Sequence, residues 1–137
     1  DPGKSLKMTL KLVTLNLNGE ITFEVLQQFI LEENPDVICI QETKKRKDKI
    51  SPSFPNYNQF NLPGRIIGRG NINYGLLTLV KSTIQAVEVG RLQQERCEYL
   101  QILLPGPLGS HTKIVNIYLR PGVPIPQEIL ANLLLDQ

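Results

Sequence analysis

The strongest constraint on this fold is a run of four apolar residues, Val37-Ile38-Cys39-Ile40, bounded by Asp36 and Gln41. A strand with one wet face alternates apolar and polar side chains, because successive residues point to opposite faces. A strand that is apolar at every position needs cover on both faces, the pattern of a buried parallel strand. The preceding sequence supplies its neighbours. Leu6, Met8, Leu10 and Leu12 alternate with mostly polar residues, then the phase slips at Val13 and resumes through Leu15 and Leu17. A bulge or a two-sided buried strand explains such a slip. Asn18-Gly19 breaks the strand. Val25, Leu26, Phe29 and Ile30 recur at helical spacing, with Thr22 as the N-cap. Asn34-Pro35-Asp36 ends that helix, because a residue before proline avoids the helical region. Strand, helix and strand within about forty residues make a βαβ unit with parallel strands.

Residues 43–73 read as loop-rich, with a short strand at 57–60. Strands follow at hairpin spacing, at 75–80, 84–89, 98–104 and 112–119. The Gly/Pro segment 106–110 resembles a cloning remnant but reads better as a natural turn, since coherent strands flank it. Pro126 opens a helix whose apolar stripe is Ile129, Leu130, Leu133 and Leu134. Residues 1–7 are expected to be a cloning remnant or a flexible lead, with 8–137 forming part of one domain. No apolar run approaches the roughly 20 residues of a membrane span. Cys39 and Cys97 are too few for a disulfide framework, so a reducing, intracellular compartment is expected. The 15 basic against 13 acidic side chains leave a net charge of only +2, so any polyanion binding must come from local clustering.

Three polar residues sit at the carboxyl ends of apolar strands: Asn16, Glu42 and Tyr118. If those strands run the same way, the three gather on one rim, where ligands of such sheets bind. Singly, each has a plainer reading. Glu42 opens a charged loop as a solvated carboxylate, Asn16 and Asn18 beside Gly19 are turn formers, and Tyr118 is strand packing. Together they suit metal-assisted phosphate chemistry. The carboxylate can hold a hard divalent cation such as Mg²⁺, while amide and phenol hydrogen-bond phosphate oxygens or metal waters.

Three segments carry a resemblance to a known family. Asn16-Leu17-Asn18-Gly19 is similar to the first motif of the exonuclease–endonuclease–phosphatase (deoxyribonuclease-I-like) family. Pro35-Asp36-Val37-Ile38-Cys39-Ile40-Gln41-Glu42-Thr43 resembles its second, and Val115-Asn116-Ile117-Tyr118 with Pro121-Gly122 its third. Tyr74-Gly75-Leu76-Leu77-Thr78-Leu79-Val80-Lys81 further resembles a strand of the apurinic-type endonucleases of LINE (non-LTR) retrotransposons. The resemblance implies an α+β fold, here the N-terminal portion of a four-layer α/β-sandwich of two packed mixed sheets flanked by helices. It implies an endonuclease that nicks DNA with Mg²⁺ or Mn²⁺ as cofactor, exposing a 3′-hydroxyl for reverse transcription, in the nucleus. On that analogy Asn16, Glu42 and Tyr118 are catalytic, with Glu42 the metal ligand. The alternative is a catalytically inactive derivative that binds nucleic acid or protein. The family's later Gly-Asp-x-Asn and Ser-Asp-His motifs are absent from this sequence, and the sole histidine does not replace them. His111 begins the strand that ends near Tyr118, roughly 23 Å away at 3.3 Å per residue.

Lys44, Lys45, Arg46, Lys47 and Lys49 crowd after Glu42 with Asp48 as the only acid among them. Such a loop grips a DNA backbone or is simply solvated. Asn18 and Asn116 complete the expected nucleic-acid contacts with Arg69 and Arg120, these two and Arg65 being the weaker candidates. A last expectation concerns assembly. The strands account for roughly one sheet, with helices to cover one face, so the bare apolar face is expected to pair with another copy or with a missing C-terminal half. The competing outcome is that the chain curls its own strands into a closed core, for which 137 residues suffice.

Overall fold

A computed structural model describes residues 9–20, 22–45, 54–67, 69–122 and 124–135. The apolar run becomes β2 (Val37–Gln41), and cover on both faces explains why none of Val37–Ile40 is polar. Ile38 and Ile40 face α1 (Phe23–Glu33), meeting Leu26 and Ile30. Val37 and Cys39 face the other way, onto Val80, Ile102 and Leu104. Its parallel partner is β1 (Leu12–Asn16), in register from Leu12 opposite Val37 to Asn16 opposite Gln41. The slip at Val13 therefore needs no bulge. Leu12 is 53% exposed on this outer strand, while Val13, Leu15 and Leu17 form the half-buried face.

Thr22 caps α1, its hydroxyl accepting from the Val25 N–H at 3.3 Å. Asn34 ends it in the left-handed region (φ 47°, ψ 53°), donating its N–H to the Ile30 carbonyl. The pre-proline position does leave the right-handed helical region, and asparagine tolerates the left-handed one. Val25 drops out of the expected buried stripe, at 58% exposed. Phe23 packs inward instead and meets Phe54, ring centroids 5.0 Å apart.

β6 (Leu76–Lys81) pairs antiparallel with β2, and β3 (Tyr57–Leu62) antiparallel with β6, giving a mixed sheet in the order β1-β2-β6-β3. Between β3 and β6, where only loop was expected, β4 (Arg65–Ile67) and β5 (Asn71–Asn73) form a separate hairpin. The second sheet is β7 (Val87–Gln93), β8 (Cys97–Pro105) and β9 (His111–Leu119), antiparallel throughout among the described residues rather than mixed. The β8–β9 register runs unbroken from Cys97 opposite Leu119 to Pro105 opposite His111, so 106–110 serves as their turn. β7 starts later than expected because Ile84 and Ala86 fill the space between the sheets from the preceding connection. A bulge lies in β7, between Glu88 and Gly90.

β8 divides its side chains as β2 does. Cys97 and Tyr99 face α2 (Gln127–Leu135) at Ile129 and Leu133, while Leu100, Ile102 and Leu104 face the first sheet. Leu130, placed in the stripe by spacing, is 40% exposed. The layers run α1, first sheet, second sheet, α2. This corrects the assembly expectation. The strands are apolar on both sides because this chain supplies both sheets and a helix for each outer face, so Val37, Val80 and Ile102 are 0% exposed without a partner. The reason for expecting sheet-to-sheet pairing disappears with the bare face.

Candidate active site

Two crossings hold the two sheets at the end where the polar residues lie. Asn116 of β9 reaches into the first sheet, its amide donating to the carbonyls of Ile40 and Leu77 at 3.2 Å each and to Thr78 Oγ1 at 3.1 Å. Its Oδ1 accepts from Gln41 Nε2 at 2.9 Å. With 1% exposure and its amide filled, Asn116 is placed as a strut between sheets, not at the surface where a nucleic-acid contact was expected. Two residues on, Tyr118 donates its hydroxyl to Glu42 Oε1 at 2.7 Å. The end of β9 and the end of β2 thus meet, and the carboxylate and phenol gathered from sequence are in direct contact.

Asn16 sits at the end of β1 beside them, but its side chain is engaged locally, Oδ1 accepting from the Asn18 N–H at 2.9 Å. That turn lies against Glu42, whose carbonyl accepts from the Gly19 N–H at 2.9 Å. Lys44 folds back to donate to Asn18 Oδ1 at 3.1 Å. Lys45 is exposed, and its carbonyl accepts from the Gly64 N–H. Arg46, Lys47 and Lys49 lie outside the described residues. Arg69 is exposed at the tip of the β4–β5 hairpin. Arg120 and Pro121 join Glu42, Asn73, Tyr74, Glu95 and Tyr118 around a recess of about 270 Å³. His111 opens β9 at the end away from Tyr118, as its place in the strand predicts. A larger hollow of about 520 Å³ between α1 and β3 is lined mainly by apolar and amide side chains. Its one cation, Lys81, faces Asp36 at 3.5 Å, so the polar chemistry lies at the smaller recess.

The backbone here is unusual. Asn18, Glu42, Lys44 and Tyr74 have φ of 50°, 53°, 53° and 66°, the left-handed region that side chains seldom adopt. Such residues cost free energy and cluster where surrounding structure fixes a site. Burial, then the hydrogen bond to Glu42, pushes the Tyr118 phenol up to about 12. It therefore keeps its proton at neutral pH and acts as a hydrogen-bond donor, not as a phenolate.

Sequence reasoning missed Glu98, Tyr74 and Gly75. Glu98, opposite Tyr118 in the β8–β9 register, is 0% exposed, and burial pushes its carboxyl up to about 7. Its signal was available: it is the only acid in the otherwise buried start of β8. Among the described residues, no three His, Cys, Asp or Glu side chains cluster as a metal site. One half-buried carboxylate remains a fit for Mg²⁺, which binds through one or two carboxylates and keeps several waters. The cysteines offer no alternative chemistry, as both are free and buried, and burial pushes the Cys39 thiol up to about 11.

Residues 13–136 match the description of the Endonuclease/Exonuclease/phosphatase family. The fold is similar to the catalytic domain of Xenopus laevis APE2, with TM-score 0.56 and 23% identity, covering 80% of this chain and 45% of that one. It is also similar to the 3′ phosphatase NExo from Neisseria, solved bound to a product DNA hairpin, with TM-score 0.55 and 18% identity, covering 80% of this chain and 41% of that one. The chain thus spans less than half the length of either structure. No curated protein matches it.

Proposed function

The chain belongs to the endonuclease/exonuclease/phosphatase family, a family of nucleases and phosphodiesterases, and we propose that it forms part of a Mg²⁺- or Mn²⁺-dependent endonuclease that nicks DNA. The observation that carries this reading is the 2.7 Å contact between Tyr118 and Glu42 on a rim flanked by Lys44 and Arg120. Nucleases of this family generally use divalent metals, typically Mg²⁺. Glu42 would hold the ion, which when bound offsets negative charge developing on a phosphodiester as water attacks.

The chain's own residues do the rest. Tyr118, protonated at neutral pH, orients Glu42 through its single O–H, and would turn that donor to a phosphate oxygen when Glu42 engages the ion. Asn16 and Asn18 shape the turn on which the Glu42 carbonyl rests, and Asn16 would orient the substrate or the water that attacks it. Lys44, Lys45 and Arg120 bind the DNA backbone by charge, which positions the duplex without reading its sequence. Resemblance of the Tyr74–Lys81 segment to LINE-type endonucleases supports a retrotransposon setting, in which the nick primes reverse transcription in the nucleus.

A second reading has its own observation. Among the described residues no three His, Cys, Asp or Glu side chains cluster as a metal site, and the histidine lies at the far end of β9, which favours a nucleic-acid-binding module without hydrolysis. Nicking of supercoiled plasmid by the longest encoded protein that contains this chain, with and without Mg²⁺, separates the two. The nuclease reading expects metal-dependent nicking that Glu42→Ala abolishes. Salt-sensitive DNA binding with no nicking in Mg²⁺ or Mn²⁺ overturns it in favour of the binding module.

A further inference from the structure

A carboxylate with no exposure needs a reason, because burying it costs several kcal/mol unless its oxygens are met. Glu98 of β8 is such a group. Its Oε1 accepts from Gln93 Nε2 at 3.0 Å, and Gln93 is held in turn by donating to the Pro63 carbonyl at 2.7 Å. Its Oε2 accepts from the Gly75 backbone N–H at 2.9 Å. These contacts and the Arg65 charge pull the acid down, yet burial prevails.

The partner it holds is no ordinary loop residue. Tyr74 and Gly75 form a corner with φ of 66° and 102°. Gly75 is required there, since a Cβ would overlap the Thr43 hydroxyl and stand 3.2 Å from the Lys44 nitrogen. The Gly75 carbonyl accepts from the Thr43 N–H at 3.2 Å, and the Tyr74 carbonyl from the Lys44 N–H at 2.8 Å. The two residues that follow Glu42 therefore hang on this corner. On its other side, the Tyr74 ring meets the Tyr118 ring edge-on, centroids 6.0 Å apart, and the Tyr74 hydroxyl donates to the Glu95 carbonyl.

We propose that Glu98 is a positioning residue for the Glu42–Tyr118 pair: it anchors the Tyr74–Gly75 corner from which the Glu42 loop hangs and against which the Tyr118 ring rests. The assignment rests on the nuclease reading only for what the pair does, since the anchoring is a matter of contacts. Losing a hydrogen bond to a charged group frees the corner without removing a strand pair. The loop after Glu42 opens more often, and the carboxylate spends less time facing the recess.

The test uses Glu98→Ala, Glu98→Asp and Glu98→Gln in the full protein, with amide hydrogen exchange and Mn²⁺ titration as separate readouts. Glu98→Ala should speed exchange at Gly75, Thr43 and Lys44 by about tenfold or more, with Ile102 and Ile114 unchanged. Glu98→Asp falls a methylene short of Gly75 and should show the same local loosening, which keeps the test decisive if the alanine variant does not fold. Glu98→Gln, whose amide oxygen still accepts from Gly75 at the cost of the Gln93 contact, should keep exchange at Thr43 and Lys44 much closer to wild type than the alanine variant does. Wild-type exchange at Thr43 and Lys44 in both the alanine and aspartate variants overturns the proposal. So does acceleration at Ile102 and Ile114 equal to that at the loop, which marks a plain loss of core stability. Mn²⁺ affinity should fall several-fold where the loop loosens. Wild-type protein that binds no Mn²⁺ refutes the nuclease reading, while the exchange pattern still decides what Glu98 holds.

Discussion

Asn116 offers the most direct perturbation of how the two sheets are joined. Its amide nitrogen has three oxygens of the first sheet within hydrogen-bond distance, shared between its two hydrogens, and its oxygen accepts from Gln41. Substitution with alanine removes these contacts and leaves the buried Thr78 hydroxyl poorly reached by water, while Gln41 keeps its contacts to Thr14 Oγ1 and the Cys39 carbonyl. A buried hydrogen bond contributes about 1 kcal/mol net, and an unmet buried group costs somewhat more. The two carbonyls keep their places in the sheet, so the expected loss is about 2–4 kcal/mol. Against a domain stability of about 5–15 kcal/mol, this should lower the urea midpoint by roughly 2 M at ordinary m-values. Asn116→Asp separates donors from size: it keeps an acceptor for Gln41 but faces three acceptors with a carboxylate, so it should cost at least as much as alanine. Both variants should retain the salt dependence of DNA binding while folded. An alanine variant within about 0.5 kcal/mol of wild type, with DNA affinity lost, would refute the strut and restore Asn116 as a nucleic-acid contact.

Other expectations follow from the rim. Burial raises the Glu98 carboxyl from 4.5 to about 7, so the folded state binds its proton more tightly than the unfolded chain does. That contribution is complete below pH 4.5 and is lost as pH rises through about 7. Stability should therefore fall by about 3 kcal/mol across that window from this group, and Glu98→Gln should flatten the fall in urea titrations at several pH values. Neutralising Lys44, Lys45 and Arg46 together should make the slope of log affinity against log salt shallower by about 3 for duplex DNA, and an unchanged slope moves the binding surface elsewhere. The 137-residue chain alone should leave supercoiled plasmid un-nicked in Mg²⁺, because its sequence carries neither a Gly-Asp-x-Asn nor a Ser-Asp-His segment. Efficient nicking that Tyr118→Phe abolishes would show that a second copy or another residue completes the site.

The local rules of the sequence carried far where one element decides the outcome. The Thr22 cap, the stop at Asn34-Pro35 and the buried parallel strand at Val37 each depend on a few adjacent residues. Position on the rim was legible too, since the ends of β1 and β2 follow from their parallel register and Tyr118 lies near the end of β9. What depends on the other sheet was not. An apolar strand reads the same whether its second face meets a sheet of its own chain or a partner, which is how Val37 and Ile102 suggested a bare face. Val87 and Val89 alternate like buried residues but lie on the exposed side of an outer strand, 49% and 51% exposed, so β7 was misplaced. Glu98 looked like the start of a strand because its partners, Gly75 and Gln93, come from other segments.

If Glu42 and Tyr118 mark a metal-dependent phosphodiesterase site, removing the carboxylate should abolish chemistry without unfolding the protein. Nicking of supercoiled plasmid is measured for the longest encoded protein and its Glu42→Ala variant across a Mg²⁺ titration, with urea midpoints recorded for both. Metal-dependent nicking by the wild type is expected, with a loss of at least about a hundredfold in the variant at an unchanged midpoint; removal of a transition-state charge contact has this magnitude. Equal nicking by both proteins at saturating Mg²⁺ would contradict that role for Glu42 and place the chemistry elsewhere.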